Sequence, residues 1–89
     1  MRKPRDDAKG LSAEEKAKEK EDFKASLAGA IKSARKQKGF MQQDLASLAD
    51  LDLTYIGHLE QKKYIPTSYV LWKIAKALGM SYSELVKDL

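Results

Sequence analysis

Apolar side chains recur at helical spacing along this chain. The first stripe consists of Phe23, Leu27, Ile31 and Ala34. Residues three or four positions apart share one face of a helix, so this stripe predicts a first helix over about residues 23–38. Gly39 follows as a helix stop, because glycine readily adopts the left-handed backbone found just after many helices.

The stretch of residues 42–61 has the spacing of two short helices crossed at a tight turn. Its apolar positions are Leu45, Ala49, Leu51, Ile56 and Leu59. Ala46 places a small side chain where the two helices would approach closely, and Asp50 falls at the bend. This pattern is typical of a helix-turn-helix with helices over about 42–49 and 53–61, the second of which is shaped to lie in the DNA major groove.

The rest of the chain predicts two more helices and no strand. Pro66 breaks the chain, and Thr67 or Ser68 can cap a fourth helix. The apolar positions of that helix are Val70, Leu71, Ile74, Ala75 and Leu78. Gly79 ends it, and residues 81–84 form a capping box that opens a short last helix. The predicted fold class is therefore all-α, with five helices.

Residues 1–22 differ from the rest because they contain almost no large apolar side chain that a core could bury. Residues 1–11 are highly charged and predict disorder. Ser12 and Glu15 can form a capping box, but the helix that it would open carries at first no apolar side chain larger than alanine. We expect a charged extension that is partly disordered or a frayed helix, followed by a folded domain over residues 23–89.

Composition narrows the class of protein only a little. The chain has 17 basic and 13 acidic residues, a net charge of +4, and the whole excess falls outside the charge-balanced extension. A basic excess favours polyanions, although +4 alone does not identify a nucleic-acid partner. The absence of cysteine excludes a disulfide framework and a cysteine-based metal site. No apolar run approaches the ~20 residues that cross a bilayer, so we expect a cytoplasmic protein that does not bind membranes.

An ordered set of residues between positions 31 and 85 matches a known pattern. Its members are Ile31, Arg35, Gly39, Gln42, Leu45, Ala46, Ala49, Tyr55, Ile56, Leu59, Glu60, Lys63, Pro66, Leu71, residues 73–79, Ser81, Glu84 and Leu85. In this register the chain resembles the helix-turn-helix domain of the Xre/Cro/phage-repressor family, including the controller proteins of restriction–modification systems. The resemblance implies a repressor-like DNA-binding domain and a sequence-specific transcriptional regulator, a repressor or controller, that occupies an operator in double-stranded DNA.

Four positions depart from the pattern of that family. Asp50 replaces the usual turn glycine, and Lys62 replaces a glycine often found after the third helix. Aspartate is among the few residues that tolerate a left-handed backbone, so the turn should survive. Met41 stands where serine or threonine usually caps the second helix, so that cap should be missing. Leu53 stands where controller proteins often carry a basic residue.

The outward face of the third helix is the predicted base-reading surface, since Ile56 and Leu59 face inward. The positions expected to face outward are Leu53, Thr54, Gly57 and His58. Of these, Leu53 can pack on a thymine methyl group, and Thr54 can form a hydrogen bond with a base or a phosphate. His58 can donate a hydrogen bond to guanine or to a phosphate. The alternative for Leu53 and His58 is an exposed side chain that contacts nothing.

Phosphate contacts are predicted at the start of the second helix and on or just after the third. They are Gln42, Gln43, Tyr55, Lys62 and Lys63. Gln42 and Tyr55 are assigned by resemblance, and helix N-termini such as that at Gln42 favour phosphate. The two lysines would add affinity that does not depend on sequence. The alternatives are a half-buried core position for Tyr55 and a solvated loop for the lysines.

Three charged residues near this surface are expected to be structural. By resemblance, Arg35 pairs with Glu60 in a partly buried ion pair that holds the first helix to the third. Asp52 is placed to cap the third helix, the alternative being a carboxylate that accepts from a cytosine amino group. That helix has no Arg, Lys or Asn before Lys62, so the bidentate contacts that give high base specificity are largely absent. One copy of the chain should therefore read few bases.

A dimer would double the number of bases read. The resemblance implies dimerisation on two half-sites about one helical turn apart. The predicted homodimer interface is apolar and lies on the last helix, with a contribution from Trp72. Its residues there are Tyr82, Leu85, Val86 and Leu89. The alternative is that these residues only complete a small core.

Two other classes of function compete with DNA binding. A protein-interaction module, for example an antitoxin-like factor, would use the same scaffold to bind another protein. An enzyme is disfavoured because the chain has no cysteine, a single histidine and no glycine-rich phosphate loop. We expect no catalytic residue, metal, cofactor or small-molecule ligand.

Overall fold

Five helices make up residues 10–89, the part of the chain that the structure, a computed structural model, describes. They are α1 (Ala13–Gln37), α2 (Gln42–Ala49), α3 (Leu53–Glu60), α4 (Ser68–Ala77) and α5 (Tyr82–Val86). These residues contain no β-strand, so the predicted all-α class with five helices is confirmed. The bounds of α2 and α3 agree closely with those of the predicted helix-turn-helix.

Helix α1 begins at Ala13 rather than near Phe23, where the apolar stripe begins. The Ser12 hydroxyl accepts from the Glu15 N–H and the Glu15 carboxylate accepts from the Ser12 N–H, both at 3.1 Å, so the predicted capping box forms. The part of α1 before Phe23 is exposed on every side. The boundary predicted between extension and domain thus falls within one continuous helix, and the expectations for residues 1–9 lie outside the described residues.

The core forms where the five helices meet. Its most deeply buried large side chains are Leu27, Ile31, Leu45, Ile56, Ile74 and Leu78. Each such side chain contributes roughly 1.5–3 kcal/mol when it is removed from water. Helix α3 packs on α2 and α1, whereas α4 packs on α2 and α5. Helix α2 therefore contacts both α3 and α4.

The ends of α2 set its angle to α3. Asp50 takes the left-handed backbone at φ 55° and ψ 51°, and the Lys73 ammonium donates to its carbonyl at 3.1 Å. Met41 provides no side-chain cap, as predicted, although its own N–H donates to the Asp44 carboxylate at 2.7 Å. The turn therefore forms with aspartate in place of glycine, while the N-terminal end of α2 remains only partly capped.

Candidate nucleic-acid interface

The N-terminal end of α3 presents two side chains to solvent. The Asp52 carboxylate caps the helix by accepting from the Thr54 N–H at 2.7 Å, as predicted. Leu53 is 48% exposed, and Thr54 is exposed beside it. A helix in the major groove contacts base edges mainly through its N-terminal residues. Leu53 and Thr54 thus occupy the positions from which such a helix reads bases.

Gly57 faces the protein, so the prediction that it faces outward is wrong. It is buried, and Gln42 of α2 lies over it, with Gln42 Oε1 3.7 Å from the point that a Cβ on Gly57 would occupy. His58, the next residue, is half-buried. Of the four positions predicted to face outward and read bases, Leu53, Thr54 and the exposed part of His58 therefore remain.

Tyr64 belongs to this surface and was missed by sequence reasoning. Its ring stacks on Tyr55 at 6.0 Å between centroids and 21° between planes, and it meets the His58 ring edge-on at 5.4 Å. Tyr64 nevertheless remains 48% exposed. Burial, together with the neighbouring Tyr64, raises the pKa of Tyr55 above its ordinary value. The one sequence signal was an aromatic residue shortly before Pro66, in a segment interpreted only as a chain break.

Among the predicted phosphate contacts, Gln42 also bonds within the protein. It is half-buried at the N-terminus of α2, and its Nε2 donates to Glu60 Oε1 at 3.1 Å. A side-chain amide nitrogen carries two hydrogens, so Gln42 can donate one hydrogen bond to Glu60 and a second to a phosphate. Gln43 is exposed beside it, and Lys62 and Lys63 are exposed directly after α3.

Arg35 and Glu60 form the ion pair expected between α1 and α3. Arg35 Nε and Nη2 donate to the two carboxylate oxygens of Glu60 at 2.7 and 3.0 Å, and Nη1 donates to the Phe40 carbonyl at 2.7 Å. The side chains of Arg35 and Glu60 are only 10% and 3% exposed. This pair is therefore part of the scaffold beneath α3 and not a surface that could meet DNA.

The electrostatics of the pair keep both groups charged. The hydrogen bond to Glu60 raises the pKa of Arg35. Burial by itself raises the pKa of Glu60, but the hydrogen bonds from Arg35 and Gln42 outweigh it, so the pKa of Glu60 is lowered overall. The last residue of α3 is thus held to α1 and α2 at the same time.

Only part of the predicted dimer interface is available to a partner. Leu85 is 3% exposed and packs in the domain's own core, so it does not belong to such an interface, and the alternative of a core role applies to it. Tyr82 and Leu89 are 36% and 40% exposed, and Val86 is half-buried. Trp72 lines a groove between α2 and α4, not a surface continuous with α5.

The described residues contain neither a metal site nor a membrane-spanning helix. Residues 10–89 bring together no group of three or more His, Asp or Glu side chains that could hold a metal ion. No helix in the same residues is long and apolar enough to pass through a bilayer. Exposed aliphatic, polar and basic side chains around a helix end suit binding rather than catalysis.

The sequence also matches a known family over most of its folded part. The sequence model of the family described as helix-turn-helix matches residues 31–85. The chain therefore belongs to the helix-turn-helix family, whose members of this type are DNA-binding transcriptional regulators and not enzymes. The resemblance drawn from the ordered residues between positions 31 and 85 is confirmed at this level.

Individual relatives are similar in sequence and in fold. Control protein C.SmaI of Serratia marcescens is 37% identical over 65 residues, which cover 73% of this chain and 77% of that protein. The immunity repressor protein of Bacillus phage phi105 is 36% identical over 58 residues, 65% of this chain and 40% of that protein. The crystal structure of the restriction-modification controller protein C.AhdI from Aeromonas hydrophila superposes with a TM-score of 0.70 at 28% identity, over 72% of this chain and 97% of that one.

Proposed function

We propose that this protein acts in the cytoplasm as a homodimeric repressor or controller that occupies a two-fold symmetric operator in duplex DNA. The observation that carries the proposal is the way α3 is held. Its N-terminal end is exposed at Leu53 and Thr54, while Glu60 at its C-terminal end is bonded to Arg35 and Gln42. A recognition helix fixed in this way can enter the major groove without reorganising the domain. The similarity to control proteins and to a phage repressor supports the same function.

Within this proposal the residues of the interface divide between base reading and phosphate binding. Leu53 packs on a thymine methyl group, and Thr54 and His58 bond base edges. The phosphate contacts are Gln42, Gln43, Tyr55, Lys62 and Lys63. Tyr55 and His58 reach DNA only by their exposed parts, since both rings also pack on Tyr64.

Two copies are required because one copy reads so few bases. An aliphatic side chain and a hydroxyl discriminate less between base pairs than the bidentate contacts of Arg or Asn. Two half-sites about one helical turn apart add their affinities when the two copies associate. The apolar residues of the C-terminal end that can form the interface are the exposed Tyr82 and Leu89 and the half-buried Val86.

The test is a selection from a randomised duplex pool followed by fluorescence-anisotropy titration of the enriched sequence at two salt concentrations. We expect a two-fold symmetric motif. Affinity should fall by roughly a hundredfold between roughly 50 and 200 mM salt, because Lys62 and Lys63 of the two copies neutralise about four phosphates. Leu53→Ala should relax the motif at one position of each half-site, and Gln43→Ala should weaken all sequences equally.

Ala17→Ser, an exposed change on the first turns of α1 away from α3 and from Leu89, is the control and should leave the motif and the affinity unchanged. No enriched sequence, together with weak duplex binding that is insensitive to salt, would overturn the proposal. That result would favour the protein-interaction module instead.

A further inference from the structure

Two aromatic and two basic side chains form an exposed patch on α4 that DNA binding does not use. Tyr69 and Trp72 stack at 6.1 Å between centroids with 16° between their planes. The Lys73 ammonium lies 5.3 Å from the Tyr69 centroid, and the Lys76 ammonium lies 5.0 Å from that of Trp72. The two aromatic residues nevertheless remain 65% and 47% exposed. These four residues are called the α4 patch below.

The α4 patch borders an open groove between α2 and α4 with a volume of about 390 Å³. Leu48 of α2 lines the groove and is 59% exposed. Two large aromatic residues and a leucine exposed side by side are unusual on the surface of a small protein and mark binding sites. Trp and Tyr are also the residues that contribute most to protein–protein affinity when a partner covers them.

The groove is separate from the surface proposed to bind DNA. No residue of α3 lines it, and α4 packs mainly on α2 and α5. A partner on the α4 patch and DNA on α3 would therefore contact different residues of the domain.

The charges of the patch favour an anionic partner. Lys73 and Lys76 both border the groove, and Asp50 is the one acidic residue that lines it. The edges of aromatic rings carry positive partial charge, so the exposed edges of Tyr69 and Trp72 add to the attraction. A nucleic-acid base would need an open ring face, but each ring already faces the other ring and a lysine ammonium, so stacking would compete with both contacts.

We propose that the α4 patch docks an acidic peptide segment of a partner protein. In this complex an apolar side chain of the segment enters the groove between Leu48 and Trp72, and carboxylates on either side of it meet Lys73 and Lys76. The aromatic residues supply the buried contact area and the lysines set the preference for acidic sequences.

The experiment uses Trp72 as its own probe, since the chain contains one tryptophan. The full chain is titrated with a twelve-residue peptide of alternating acidic residues and leucines while tryptophan emission is recorded. Two matched peptides replace either the acidic residues by lysine or the leucines by serine. We expect a saturable emission change with the first peptide only, and Lys76→Glu should weaken that binding at least about fivefold.

Lys20→Glu, the same charge change on the exposed part of α1, is the matched control and should bind the peptide like the parent chain. Lys76→Glu should keep its melting temperature and its affinity for duplex DNA to within about threefold, because Lys76 lies outside the DNA surface. The proposal is overturned if the acidic peptide gives no saturable emission change, or if Lys76→Glu and Lys20→Glu weaken peptide binding equally. It is also overturned if single-stranded oligothymidylate binds the patch as tightly as the peptide does. A shift of the emission with protein concentration alone would likewise overturn it, because a second copy would then cover the patch.

Discussion

At the residue scale, the backbone of Lys62 holds strain that a single substitution can release. Its φ of 65° lies in the left-handed region, where a residue with a Cβ is disfavoured by roughly 1–2 kcal/mol. Lys62→Gly should raise the free energy of unfolding by about 0.5–1 kcal/mol, because the freedom of glycine in the unfolded chain offsets part of the gain. Thermal denaturation should therefore show a higher Tm, while DNA affinity falls with the loss of a proposed phosphate contact.

Lys63→Gly is the control, since the backbone of Lys63 is not in the left-handed region. That variant should lose both stability and DNA affinity. A Tm for Lys62→Gly at or below that of the parent chain would show that the position stores no strain.

The Arg35–Glu60 pair should contribute to stability more than to sequence preference. Arg35→Ala leaves a nearly buried carboxylate without its main partner, and removal of one member of such a pair costs about 3–5 kcal/mol. Denaturant unfolding should show this loss, while the DNA motif selected by any folded fraction stays the same. Arg35→Lys, which keeps the charge but not the two-pronged geometry, should fall in between. Unchanged stability with lost DNA binding would instead make Arg35 a contact residue.

The lowered pKa of Glu60 makes stability depend on pH in a defined direction. The folded chain holds Glu60 ionised at a pH where the unfolded chain, with an ordinary pKa near 4.5, begins to bind a proton. Stability from Glu60 is therefore complete above that ordinary pKa and is lost as pH falls through the lowered folded value. Urea denaturation between about pH 3 and 7 should show a steeper acid loss for the parent chain than for Glu60→Gln.

Two further carboxyls make the comparison with Glu60→Gln necessary. Capping hydrogen bonds also lower the pKa of Glu15 and of Glu84. Both groups remain in the variant, so they contribute equally to the two curves. The difference in slope then reports Glu60 alone, and parallel curves would contradict the assignment.

At the element scale, α2 has a helix end that can be improved. The backbone of Met41 already has the extended conformation of an N-cap, at φ −80° and ψ 165°, and its side chain is 64% exposed. Met41→Ser would let a hydroxyl accept from the orphan N–H groups of α2, and Asp44 already supplies the reciprocal half of a capping box. We expect a gain of about 0.5–1 kcal/mol in the free energy of unfolding.

Met41→Ala separates the cap from the loss of the methionine side chain. Chemical denaturation should rank serine above alanine at this position. If the two variants are equally stable, the first turn of α2 gains nothing from a cap.

The elements also show how far sequence reasoning reaches. Helices α2 to α5 were predicted because each has an apolar stripe together with a stop or a cap, such as Gly79 or the box at residues 81–84. The sequence left the segment before Phe23 open between disorder and a frayed helix, because its first turns have no buried face. The capping box at Ser12 and the helix-forming side chains are the only signals there. A hydrophobic stripe reports where a helix packs, not where it begins.

The site was less predictable because its side chains depend on neighbours from other elements. Burial of Gly57 results from Gln42 across the α2–α3 contact, and Tyr64 joins the surface only because the chain after α3 folds back on Tyr55. Neither contact has a signature in sequence spacing. The Arg35–Glu60 pair could be predicted because both positions match the family pattern, in which the two residues form an ion pair.

At the scale of the whole molecule, the C-terminal end combines a core residue with a proposed interface residue, and two substitutions can distinguish their roles. Leu85 lies in the core of each copy, whereas Leu89 just beyond α5 is 40% exposed and belongs to the proposed dimer interface. Leu85→Ala should lower the free energy of unfolding by about 2–5 kcal/mol at any protein concentration. Leu89→Ser should leave the unfolding of dilute protein nearly unchanged but weaken association of the two copies.

Sedimentation equilibrium and denaturation at two protein concentrations measure the two effects independently. For the parent chain, stability should rise with concentration, because association favours the folded state by mass action. Leu89→Ser should remove that dependence and weaken operator binding, since each copy alone reads few bases. A Leu89→Ser protein that still associates and still binds its operator like the parent would move the interface away from the C-terminal end. A folded but monomeric Leu85→Ala protein would show that packing within each copy also shapes the surface on which the copies meet.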